Sequence, residues 1–99
     1  MSAIPLFKEK RVLWNPQIGK FAVAELKIWK ILKTKDYPNG IKYSLFLVSE
    51  GSVIIGFDNH KPKGPHLHLG DKEFPYEFKG EALLINDFWE LTRKAGFEI

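Results

Sequence analysis

The feature that most restricts the fold is a change of hydrophobic period at Gly80. Before it, apolar residues mostly alternate, as on strands; after it, they recur at helical spacing. Leu84, Phe88 and Leu91 fall at i, i+4 and i+7, with Ile85 and Trp89 widening the stripe. Glu81, Asp87, Glu90, Arg93 and Lys94 take the other side. Acid at the start, base at the end and Gly96 as a C-terminal stop complete the pattern. The spacing predicts one helix over Gly80 to Ala95.

The remainder reads as strands parted by turn chemistry. Leu6 to Trp14 alternates without a clean face and carries Lys8, Glu9, Lys10 and Arg11, which suits an edge strand. Asn15 to Gly19 is a turn. Lys20 to Leu32 is the longest strand candidate, with Ala22, Ala24, Leu26, Ile28 and Leu32 on one parity. Its Ala, Glu, Leu and Lys content also suits a helix, but sustained alternation between two turn signals favours a strand. An edge position for this run would let it pair with a second copy, giving a homodimer. Asp36-Tyr37-Pro38-Asn39-Gly40 is a strong turn. Ile41 to Ser49, a hairpin turn at Glu50-Gly51 and Ser52 to Asp58 follow, then a short strand over Pro65 to Leu69. Gly70 to Glu73 reads as a turn and Phe74 to Phe78 as a last strand, which Pro75 restricts to an edge or a strand start. The expected fold is α+β: a mostly antiparallel β-meander of five to six strands, covered by one C-terminal helix in a single domain.

Chemistry concentrates between Gly56 and Gly70. All three histidines lie there, with Asp58, Asn59, Lys61 and Lys63 among them. A plain turn needs only Asn, Gly and Pro. If Pro65 to Leu69 is extended, His66 and His68 project from one face and Leu67 and Leu69 from the other. A short hairpin then brings Asp58 near the two rings, with His60 in its loop.

Three uses fit. The histidines can act as an acid/base pair on RNA, whose own 2′-OH is the nucleophile, since histidine fills both proton roles near neutral pH. Lys61, Lys63 and Arg93 would then supply positive charge. Alternatively His60, His66, His68 and Asp58 can hold a divalent metal such as Zn, because imidazole suits that ion. The third use is structural: histidines that bond carbonyls and fix the loop. Three histidines with a carboxylate, an amide and lysines in one hairpin favour a functional site. Asp58 and Asn59 equally suit an Asx turn at a strand end, and Glu73 offers a second carboxylate but reads first as an exposed turn acid. Phe74, Tyr76 and Phe78 read as core packing, with the Tyr76 hydroxyl able to reach a site.

The net charge of +3 mildly favours an anionic partner. The absence of cysteine excludes disulfides and thiolate metal sites and fits a reducing compartment. With no long apolar run at the start, neither a signal peptide nor a membrane anchor is expected, and the cytoplasm is the default location. There is no phosphate-binding glycine loop, no HExxH and no serine or cysteine nucleophile motif.

The order Gly56-Phe57-Asp58-Asn59, Lys63-Gly64, His66-x-His68, Glu73-x-Pro75-Tyr76-x-Phe78 and Asp87-Phe88-Trp89 resembles the TumE family of toxin–antitoxin toxins. Trp29 and the segment Tyr37 to Tyr43 also look like members of that family, and the resemblance runs from Phe7 to Trp89. It implies a small toxin regarded as a ribonuclease, an RNA substrate, and a cognate antitoxin, often with a helix-turn-helix, that masks the site. By motif position it points to Asp58, Asn59, Lys63, His66, His68 and Tyr76. The reading on residues and resemblance together is a metal-independent endoribonuclease without a cofactor. In it His66 and His68 share the proton transfers, Asp58 orients one of them, and Lys63, Asn59, His60, Lys61, Tyr76 and Arg93 contact substrate. The alternative is a non-catalytic module that binds a protein or a metal.

Overall fold

The computed structural model describes residues 3–99. Six strands form one antiparallel sheet in sequence order: β1 Ile4–Asn15, β2 Lys20–Lys30, β3 Ile41–Ser49, β4 Ser52–Asp58, β5 His66–Leu69 and β6 Lys72–Pro75. Helix α1, Glu81–Lys94, covers one face. The expected meander with its C-terminal helix is therefore the fold.

Register explains why one face is dry. Leu26, Leu45, Phe57 and Leu67 oppose one another across β2 to β5, and Leu26, Leu45 and Phe57 are buried against Leu84 and Phe88 of the helix. Because side chains alternate, the row one residue along turns the other way. That row reads Lys8, Lys27, Ser44, Asp58 and His66, on the face without the helix. This open face also carries Val12, Trp14, Phe21 and Val23 exposed at one end, with the Trp14 and Phe21 rings 4.7 Å apart.

The helix ends in a Schellman motif. Phe97 N–H donates to Thr92 O and Gly96 N–H to Arg93 O, with φ of 100° at Gly96. A Cβ at Gly96 would meet the Asn15 side chain at 3.0 Å. Asn15 is buried because it fastens the two ends of the fold: its Nδ2 donates to Ala95 O, and its Oδ1 accepts from Gln17 N–H.

Three sequence expectations need correction. Lys20 to Leu32 is not an edge: β2 is hydrogen-bonded on both sides, and the free edges are β1 and β6, so a second copy cannot pair along β2. β2 also stops at Lys30. The last strand is Lys72–Pro75 and not Phe74 to Phe78. A two-residue turn at Gly70-Asp71 sets Leu69 opposite Lys72, and β5 runs out of partners at Pro75. Tyr76 and Phe78 then leave the sheet for the core, Tyr76 packing edge-on against Phe57 at 4.9 Å and Phe78 stacking on Tyr43 at 5.3 Å.

The Tyr43 hydroxyl is buried and has no hydrogen-bond partner. Burial, and then the charge of Asp58, push its pKa well above the usual phenol range. Tyr43→Phe removes an unsatisfied polar group and keeps the ring, so it should stabilise the fold by about 1 kcal/mol. Urea denaturation checks this; a loss of stability would mean that the hydroxyl has a partner.

Candidate active site

β4 and β5 build the cluster. Asp58 ends β4 opposite His66, and Gly56 lies opposite His68. Phe57 and Leu67 belong to the core side, so Asp58, His66 and His68 stand together on the open face. The short β6 adds Glu73 opposite His68.

The two imidazole centroids are 4.6 Å apart, with the rings steeply inclined. His66 Nδ1 lies 2.7 Å from Gly64 O, and its Nε2 lies 2.7 Å from Asp58 Oδ1. This second contact is close but not aligned as a hydrogen bond, and Asp58 Oδ1 is buried with no hydrogen-bond partner. The His66 imidazole is therefore what faces that carboxylate charge. His68 is held more loosely: Nε2 is 4.0 Å from Asp58 Oδ2 and Nδ1 is 3.9 Å from Glu73 Oε1. Glu73 Oε1 also lies 3.7 Å from His66 Nε2. Lys63 Nζ donates to both Glu73 oxygens at 3.0 Å. That hydrogen bond is the main reason the Glu73 carboxyl titrates below its ordinary range. Glu73 accordingly keeps its negative charge wherever histidine titrates.

Phe46 forms a wall. Its ring lies 5.8 Å from that of His68 and crosses directly over Gly56, where any Cβ would collide with it. The mid-strand glycine is thus a close-approach position. The hollow above the cluster measures about 260 Å³ and is bordered by His60, Lys61 and Lys63 of the hairpin together with Asp58, the two histidines and Glu73. A larger hollow of about 470 Å³ lies by Tyr37, Ile31 and Lys42, also reached by His60 and Lys61, but it gathers no comparable set of acids and bases.

The structure thus brings together Asp58, His66 and His68, and sets His60, Lys61 and Lys63 at the rim. It does not bring Asn59, Tyr76 or Arg93 to them. Asn59 is buried: Oδ1 accepts from Tyr43 N–H at 3.0 Å and Nδ2 donates to Ile41 O at 2.8 Å, extending the sheet by one side chain. It bonds β3 and not its own turn. Asn59→Ala leaves both backbone groups unpaired and should cost about 2 kcal/mol, read as a lower urea midpoint; an unchanged midpoint would refute the role. Tyr76 packs on Phe57 on the helix side and donates to Asp87 Oδ2 at 2.6 Å. Burial first, and the bond to Asp87 second, push its pKa up. Arg93 sits in the last turn of α1, so the sheet separates it from the histidines.

Sequence reasoning undervalued two residues. The sequence sets Glu73 in a turn running from Gly70 to Glu73, whereas the turn is Gly70-Asp71 and Glu73 lies on β6 opposite His68. Phe46 was signalled only by Gly56, a glycine inside an otherwise strong strand.

Asp58, His66 and His68 each offer a ligand atom, all within 4.8 Å of one another, so this trio can also hold a metal ion. His60, the fourth ligand considered from sequence, is not among them.

A one-sided sheet with acids, bases and a cation gathered on its open face defines a small α+β protein with a polar, acid–base-capable surface site. The family model described as Toxin TumE matches residues 7–95, and the chain belongs to that family. Its role is therefore that of a toxin, and membership implies an antitoxin partner. Comparison with curated proteins and with solved structures gave no match. No helix among the described residues is long and apolar enough to cross a membrane.

Proposed function

We propose that this toxin is a metal-independent endoribonuclease working through His66 and His68. The observation that carries the reading is the pair of imidazoles 4.6 Å apart, in different surroundings, over one carboxylate. His66 Nδ1 is held against Gly64 O at 2.7 Å, and its Nε2 edge faces the buried Asp58 carboxylate, whose negative charge favours a cationic, proton-donating ring. His66 is thus set up as the acid. His68 has no close hydrogen-bond partner to occupy it and is the base.

His68 takes the proton of a ribose 2′-OH. The 2′-oxygen attacks phosphorus, the bond to the 5′-oxygen breaks, and His66 protonates the departing oxygen. The products are a 2′,3′-cyclic phosphate and a free 5′-OH. Asp58 orients His66. Lys63, exposed and tied to Glu73 by a surface pair that a phosphate can replace, offsets charge on the phosphorane. Lys61 and His60 at the rim contact the flanking backbone.

A second reading has one observation in its favour: the compact Asp58–His66–His68 trio with its unpartnered carboxylate oxygen. There a divalent metal would be the partner, either in a metal-dependent nuclease or in a non-catalytic module. One assay separates the readings. Purified protein treated with EDTA should cleave RNA at an undiminished rate, leave cyclic phosphate ends, and spare a strand with deoxyribose at the cut. Loss of cleavage on chelation, restored by Zn²⁺, would replace the metal-independent mechanism with the metal one.

A further inference from the structure

We propose that the substrate is single-stranded RNA laid across the open face, its backbone following Lys27 and Lys8 away from the histidines and its bases stacking on Phe46 and Trp29. The inference rests on the ribonuclease reading and names the form of RNA the site accepts.

The register draws the track. Opposed residues from β5 to β1 are His66, Asp58, Ser44, Lys27 and Lys8. At the usual strand spacing, Lys27 and Lys8 lie roughly 10 and 14 Å from Asp58 along this row. Phe46, opposite Gly56, flanks the row on one side. Trp29, opposite Lys42, flanks it on the other. Both rings are half-buried, so each is anchored and still partly open. Among the described residues Lys27 pairs with Glu25 at 3.7 Å, a surface ion pair weak enough for phosphate to displace. Cations that track a backbone between aromatic rings recognise single strands, because the rings need unstacked bases; a duplex presents none. The helix covers the opposite face and leaves this one free.

The test uses a short 2′-O-methyl RNA strand, which lacks the nucleophile and so reports binding without chemistry. Fluorescence anisotropy should find binding that weakens with salt, and distinctly weaker binding of the matching duplex. Phe46→Leu, which keeps apolar bulk over Gly56, and Trp29→Ala should each raise Kd about tenfold. Lys27→Ala should lower the salt slope by about 0.7. If unmodified RNA is cut while all three variants bind the strand like wild type, the track is wrong and the ribonuclease reading survives. If the strand binds with these dependences and unmodified RNA is never cut, the track stands and the ribonuclease reading falls. Wild type that ignores strand and duplex alike overturns the track and leaves the face to a protein partner.

Discussion

His68→Ala should reduce RNA cleavage by about 10²- to 10⁴-fold, the usual worth of a positioned proton acceptor. It should also relieve growth arrest when the toxin is induced without its antitoxin. Stability should hardly change. The His68 ring has no hydrogen bond to lose, and the carboxylate oxygens facing it are 3.9 and 4.0 Å away. His66→Ala should lose cleavage too, but it strips Asp58 of the group 2.7 Å from its buried oxygen. That variant mixes chemistry with a folding cost. The comparison to make is growth on induction, beside cleavage by purified protein, with circular dichroism as a fold control. Folded His68→Ala that cuts like wild type would remove the histidine pair from the mechanism. Arrest by both proteins, with no RNA fragments from either, would keep the toxin and move its target away from RNA.

The pattern of legibility follows from which forces are local. Alternation and turn chemistry are local, so the strand order, the Glu50-Gly51 hairpin and the helix could all be read directly. The convergence of Asp58, His66 and His68 was also legible, because antiparallel pairing across one hairpin sets the end of β4 against the start of β5. What was hidden depended on register. Shortening one turn by two residues moves Glu73 out of the turn to a strand position opposite His68, where it stays exposed but lies beside both histidines. Which face a residue takes is likewise a tertiary fact. Tyr76 and Arg93 carry chemistry that suits the site, but Pro75 and the helix stripe send both to the other side of the sheet. Asn59 shows a third limit. Its amide looked available for substrate, and only the structure shows that two backbone groups of β3 already occupy it.

Phe57→Ala should cost about 3–5 kcal/mol, out of a total on the order of 5–15 kcal/mol for a chain of this size. Phe57 is 1% exposed and packs edge-on against Tyr76 at 4.9 Å and Phe88 at 6.3 Å, so it is where β4, the segment after β6 and the helix meet. Its removal touches no group in the histidine cluster. It does loosen the face opposite Asp58, the next residue along the same strand. Urea denaturation should show a sharply lower midpoint, with Phe57→Leu recovering much of the loss because most of the buried volume returns. Cleavage should follow the folded fraction: halved at the Phe57→Ala midpoint, lost beyond it, and nearly normal per folded molecule at low temperature. That is the opposite signature from His68→Ala, which should stay folded and inert. If Phe57→Ala instead kept full stability, the core would not be organised around β4, and the placement of Asp58 against the histidines would need another cause.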